Sequence, residues 1–108
     1  MKVIEVTEEY ILFDNGNTLT YDHDQDCCEH NYADFLSVKE EILDMHFEED
    51  LIFEMVDNAG FRFGSNPLQM IFIPCYSEQN GYYTQEIDIY YKKHIISLNA
   101  KFKDDYYD

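Results

Sequence analysis

Tyr10–Phe13 and residues 18–21 are two short, alternating, largely apolar runs on either side of Asp14-Asn15-Gly16-Asn17. Asn-Gly readily supplies the positive φ angles of a two-residue type I′ hairpin turn. Such a turn sets Tyr10 opposite Tyr21 and Leu12 opposite Leu19 on one face of a sheet. Ile11, Phe13, Thr18 and Thr20 then share the other.

Downstream, Val38, Ile42 and Met45 form an apolar stripe at helical spacing, and Ser37 with Glu40 has the spacing of a capping box. One short helix is expected here, its stripe packed as the cover of a sheet. Residues 51–56 read as a strand with Leu51, Phe53 and Met55 on one face. Asn58-Ala59-Gly60 forms the turn and the chain returns at Phe61-Arg62-Phe63. Residues 68–75 (LQMIFIPC) are nearly continuous in apolar side chains, as in a central strand, with Pro74 marking an edge or bulge. A second Asn-Gly, Asn80-Gly81, predicts a hairpin that pairs Phe72 with Ile89 and Pro74 with Ile87, on a face shared with Met70 and Tyr91. Glu86, Asp88 and Tyr90 fall on its wetter side. Ile96, Leu98, Ala100 and Phe102 alternate as a last strand, and residues 103–108 read as a frayed tail. The expected fold is one α+β domain over residues 1–108, with six or seven strands in antiparallel hairpins and one short helix.

With 45% hydrophobic and 17% aromatic residues, the chain has the means to build a core without staples. Three cysteines, two of them adjacent, do not suggest a disulfide framework. No apolar run reaches the length of a membrane span or signal segment, so a cytoplasmic protein with no membrane association is expected. Charge changes the picture more. The net charge is −16, and residues 1–60 hold 17 Asp and Glu against only Lys2 and Lys39. Residues 61–108 are nearly balanced, with 6 acids and 5 bases. Such a field disfavours direct nucleic-acid binding and steers a basic partner protein, although acids also serve simply to keep an aromatic-rich domain soluble. The exposed acids expected to meet a partner are Asp22, Asp24, Asp26, Glu40, Glu41, Glu48, Glu49 and Asp50. Oligomeric state is left open.

The densest concentration of reactive groups is residues 21–30, YDHDQDCCEH. A zinc site using His23, Cys27 and Cys28, completed by Cys75, is the alternative to a partner-binding role with no cofactor. Zinc pairs are usually spaced so that both ligands turn inward, whereas adjacent side chains on an extended backbone point apart. Asp22, Asp24 and Asp26 imitate the start of an EF-hand loop, but Cys27 and Ala33 stand where its Gly and Glu belong. A nucleophilic thiol is disfavoured because Asp24, Asp26 and Glu29 raise the pKa of their cysteine neighbours. The default role is a loop whose cysteines pack as small apolar groups. The tyrosines at 76, 82, 83, 90 and 91 fall on one predicted hairpin, either as an interface patch or as ordinary strand residues. No basic patch, Gly-rich phosphate loop or metalloprotease motif is present.

His23-Asp24-Gln25-Asp26-Cys27-Cys28-Glu29, followed by Asn80-Gly81-Tyr82-Tyr83-Thr84, resembles a small bacterial and bacteriophage domain family of unknown function. Its motifs have the forms H-x-Q-D-C-C-E and N-G-Y-Y-[ST]. The resemblance implies a single domain in a phage or mobile-element setting and carries no activity. The expected function is therefore a non-enzymatic acidic protein that offers an acidic face to a basic, nucleic-acid-binding partner.

Overall fold

The computed structural model describes residues 1–22, 30–79 and 84–103. In chain order the strands are β1 (Val3–Val6), β2 (Tyr10–Phe13), β3 (Thr18–Asp22), β4 (His30–Ala33), β5 (Ile52–Val56), β6 (Gly60–Asn66), β7 (Gln69–Glu78), β8 (Glu86–Tyr91), β9 (His94–Asn99) and β10 (Lys101–Phe102). A 3₁₀ turn, Phe35–Val38, leads into the one α-helix among the described residues, α1 (Lys39–Ile42). One sheet has the order β1-β2-β3-β8-β9. The other has the order β10-β7-β6-β5, with β4 also paired to β7. Apart from β10, which runs parallel to β7, neighbouring strands are antiparallel.

The fold is thus mainly β, with 60% of the described residues in strands and 9% helical, which corrects the α+β expectation and its six or seven strands. The physical reason is that the cover over the first sheet is the second sheet. Phe13 and Tyr91 come from one and Phe53, Phe61 and Phe63 from the other, and all contribute to a single core. The helix is correspondingly reduced. Ile42 is buried, but the chain leaves the helix at Leu43 and Asp44 takes a left-handed φ of 69°. Val3 N–H then donates to the Met45 carbonyl at 3.0 Å, so Met45 extends the edge beyond β1 and lies outside the helix. The expected capping box is not made. Ser37 Oγ donates back to the Asp34 carbonyl at 2.7 Å.

The first hairpin forms, but one residue out of the expected register. Ile11 pairs with Leu19, Tyr10 with Thr20 and Leu12 with Thr18. Phe13 N–H bonds to the Asn17 carbonyl and Gly16 N–H to the Phe13 carbonyl, so three residues make the turn and Gly16 alone takes the positive φ. That slip puts Ile11, Phe13 and Leu19 on one fully buried face, where the expected register split them across two. The turn before β6 is likewise displaced to residues 57–59, with Asn58 in the left-handed region.

The predicted β7–β8 hairpin does not exist. β7 pairs with β6 through its first half and with β4 and β10 through its second, Pro74 standing at the changeover. β8 lies in the other sheet between β3 and β9. Ile71, Ile73 and Cys75 therefore face the core from one sheet and Ile87, Ile89 and Tyr91 from the other. Phe72 is left partly exposed, and Leu68 lies in the turn before β7. The β8–β9 turn is Lys92-Lys93, with Lys92 at φ 54°. No described helix is long and apolar enough to cross a membrane.

Candidate functional site

β2 begins at Tyr10, opposite Thr20, so Tyr21 and Asp22 run past its end and face the β1–β2 turn. Thr7 fixes that turn: its Oγ1 accepts the N–H of Glu9 at 3.1 Å and of Tyr10 at 3.2 Å. Thr20 Oγ1 donates to the Glu9 carbonyl at 2.7 Å, tying the turn to β3. Glu8 and Glu9 are held beside Asp22 as a result. β4 supplies the facing wall, because alternation along it buries Asn31 and Ala33 and turns His30 and Tyr32 away from the core.

Between these walls lies an open cleft of about 630 Å³, lined by Glu8, Glu9, Asp22, Asp34 and Glu78 together with Tyr21, His30 and Tyr32. None of the described lining residues is Lys or Arg. Burial pushes the Tyr21 hydroxyl above its usual pKa, and the negative field of Glu9 and Glu8 adds to the effect. Burial also raises that of Tyr32, with Lys103 opposing it. The cleft is therefore a region of concentrated negative potential with aromatic surface inside it.

At its rim, Tyr32 and Tyr76 are direct cross-strand partners, their ring centres 5.8 Å apart, and His30 stacks on Tyr32 at 4.8 Å. Lys103 Nζ sits 5.3 and 5.2 Å from the two tyrosine rings and 3.0 Å from Glu78 Oε1.

Below the rim is a buried polar cluster. Asn31 Nδ2 donates to the carbonyls of Thr84 at 2.9 Å and Glu86 at 3.3 Å, while Gln79 Nε2 donates to Ser77 Oγ at 2.7 Å and the Thr84 carbonyl at 3.0 Å. Asn31 follows the first sequence motif by two residues, and Gln79 and Thr84 bracket residues 80–83. The described residues that flank the two motifs are thereby linked to one another. Residues 23–29 and 80–83 themselves lie outside the described residues, and with them Asp24, Asp26, His23, Cys27, Cys28, Tyr82 and Tyr83.

Of the acids singled out in the sequence, Asp22 lines the cleft. Glu40 and Glu41 are exposed on α1. Glu48, Glu49 and Asp50 are exposed before β5. Glu49 pairs with Lys92 at 3.2 Å, and shares with Asp50 a separate hollow beside the β8–β9 turn. Cys75 is fully buried, its thiol pushed up to about 12 by burial and, to a lesser degree, by Asp34. It packs as a core residue. Among the described residues no three His, Cys, Asp or Glu side chains are grouped to hold a metal ion. The tyrosines expected on one hairpin are dispersed: Tyr76 stands at the cleft rim, Tyr90 on β8, and Tyr91 in the core.

A model of the family described as Domain of unknown function (DUF7448) matches residues 1–89 of the 108. The chain belongs to that family. The DUF7448 span takes in both walls of the cleft, the Tyr32–Tyr76 pair and Glu78, and ends within β8, before Lys103. No curated protein and no solved structure matches the chain.

Glu8, Glu9, Asp34, Glu78 and Tyr32 were not singled out by sequence reasoning, and Tyr76 entered it only as one of five tyrosines expected on a hairpin with β8. Glu8-Glu9 abutting the first hairpin carried a local signal. The others meet only through the pairing of β4 with β7, which no local pattern encodes.

Proposed function

We propose that this protein is a binding module that takes a basic segment of a partner protein into the acidic cleft. The observation that carries the reading is the cleft's lining: five carboxylates from four separate stretches of chain converge on one concave, solvent-open space beside tyrosine and histidine rings. A concave surface of one sign focuses its field and speeds the encounter with an oppositely charged partner. The aromatic surface supplies contact area that charge alone does not. The family resemblance adds a bacteriophage or mobile-element setting, and the three cysteines with no disulfide framework favour the cytoplasm. There, a nucleic-acid-binding protein offers the basic surface, and the acidic half of this chain stands in for a phosphate backbone.

Fluorescence anisotropy with labelled decalysine tests the reading, with decaglutamate as control. Decalysine binding is expected to weaken at least about tenfold between low and physiological salt. It is also expected to weaken in a Glu8→Gln/Glu9→Gln/Asp34→Asn variant, and far less in Glu40→Gln/Glu41→Gln. Equal binding by both variants and the parent protein would refute the cleft as the contact surface.

A further inference from the structure

The rim of the cleft already holds a cation, one belonging to the chain itself. Tyr32 and Tyr76 present two ring faces to Lys103 Nζ at 5.3 and 5.2 Å, inside the range of about 6 Å over which a ring quadrupole attracts an ammonium group. Glu78 Oε1 completes the surround at 3.0 Å, and the Tyr32 hydroxyl donates to that same oxygen at 3.4 Å. His30, stacked on Tyr32, braces the ring from its other neighbour on β4. The cradle is thus built from rigid strand positions, while its occupant follows a strand of two residues. Beyond β10 the backbone of Lys103 is tied by its N–H to the Ser77 carbonyl at 3.2 Å. The Lys103 and Glu78 side chains remain about a third exposed, at 32% and 40%, so solvent reaches the ion pair.

We infer that Tyr32, Tyr76 and Glu78 form a receptor for a lysine ammonium group, occupied at rest by Lys103 and taken over by a lysine of the bound partner. This rests on the reading of the cleft given above and names the chemistry of its most specific contact. Two of the three receptor residues, Tyr32 and Glu78, also line the cleft, so a lysine in the cradle belongs to a segment lying along it. The occupant in place is a compact, three-donor ammonium, on which one carboxylate oxygen and two ring faces converge as on a single point charge. Displacement is feasible because a surface ion pair between flexible partners is weak and exchanges with solvent. As a tethered competitor, Lys103 is present at an effective concentration on the order of millimolar, enough to reject weakly bound cations and admit a multivalent basic segment.

Lys103→Met retains the length of the stem and removes the charge. The first measurement follows the Tyr32 and Tyr76 ring resonances by NMR as N-acetyl-lysine methylamide is added. Saturable shifts at both rings are expected in Lys103→Met, with a response in the parent protein weaker by about tenfold. The shifts disappear when Tyr76→Leu is combined with Lys103→Met. The second measurement is decalysine affinity, expected to rise about three- to tenfold in Lys103→Met and similarly in Lys103→Gln. Ring resonances that stay still in Lys103→Met overturn the receptor, whatever decalysine does. Ring shifts without decalysine binding by any form uphold the receptor and refute the cleft reading. Decalysine binding that is equal with and without Lys103 overturns the displacement.

Discussion

Ser77 Oγ donates to Asn31 Oδ1 at 2.5 Å between directly paired residues of β7 and β4, and both side chains are buried. Asn31 spends its amide group on the Thr84 and Glu86 carbonyls, so one side chain satisfies partners on both sheets. Truncation to Ala leaves the buried Ser77 hydroxyl without its acceptor and removes one donor from each of the part-buried Thr84 and Glu86 carbonyls, the first of which keeps Gln79 Nε2. Asn31→Ala is expected to cost about 2–4 kcal/mol in urea unfolding. A loss below about 1 kcal/mol would mean that water replaces the amide freely.

The register of the first hairpin is open to a direct comparison. Ile11 is fully buried and Leu12 only partly so. Ile11→Ala is expected to cost about 2–4 kcal/mol and Leu12→Ala less than about 1 kcal/mol. The opposite order would restore the register with Leu12 facing Leu19.

That hairpin also shows what could be read from the sequence. The position of the turn was legible in Asn15-Gly16, because turn chemistry is local. Its register was not, since Asn-Gly serves a two-residue and a three-residue loop alike, and the choice belongs to the core that buries Ile11, Phe13 and Leu19 together. The strands at 51–56, 61–63 and 96–98 were legible from alternation. The partners of β7 were not: adjacency to Asn80-Gly81 suggested β8, whereas β4 and β10 lie distant in sequence. The α+β expectation failed for a related reason. The stripe of Val38, Ile42 and Met45 has helical spacing, but one turn of helix followed by Asp44 in the left-handed region satisfies the same burial. For the site, acidity was legible in bulk, and its concentration at Glu8, Glu9, Asp34 and Glu78 required the fold.

At Gly16 the demand for glycine is conformational alone, whereas at Gly60 a steric demand is added to it. Gly16 has a φ of 91° with open space around it, whereas a Cβ on Gly60 would overlap the Ile73 carbonyl oxygen on the neighbouring strand. Gly16→Ala is expected to cost about 1–2 kcal/mol, the strain of the left-handed backbone alone. Gly60→Ala forces β6 and β7 apart and is expected to cost about 3 kcal/mol or more. Thermal unfolding of the two variants side by side checks the ranking, and equal shifts would contradict it.

Cys75 ties stability to alkaline pH. Its thiol titrates near the ordinary 9.0 when unfolded and at about 12 when folded. The unfolded chain therefore loses this proton first, and the stabilisation present below pH 9.0 is lost as pH rises toward about 12. The slope from one such group is about 1.4 kcal/mol per pH unit. Cys75→Val removes this contribution. Chemical denaturation across pH 8 to 11 should show a shallower decline for the variant, and parallel curves would rule the thiol out as its source.

The stretch between α1 and β5 has little regular structure, yet Phe47 within it stands edge-on to Phe13 at 6.0 Å and stacked on Phe63 at 5.3 Å. The Met1 ammonium donates to its carbonyl at 2.7 Å, and the Tyr91 hydroxyl to that of Glu49 at 2.6 Å. A segment without repetitive backbone geometry is usually where a protease cuts and where evolution inserts residues. Here the connector is a seam between the two sheets. Lengthening it would withdraw Phe47 from both, so tolerance to insertion belongs at the Lys92-Lys93 turn, and a limited digest should leave residues 43–50 whole.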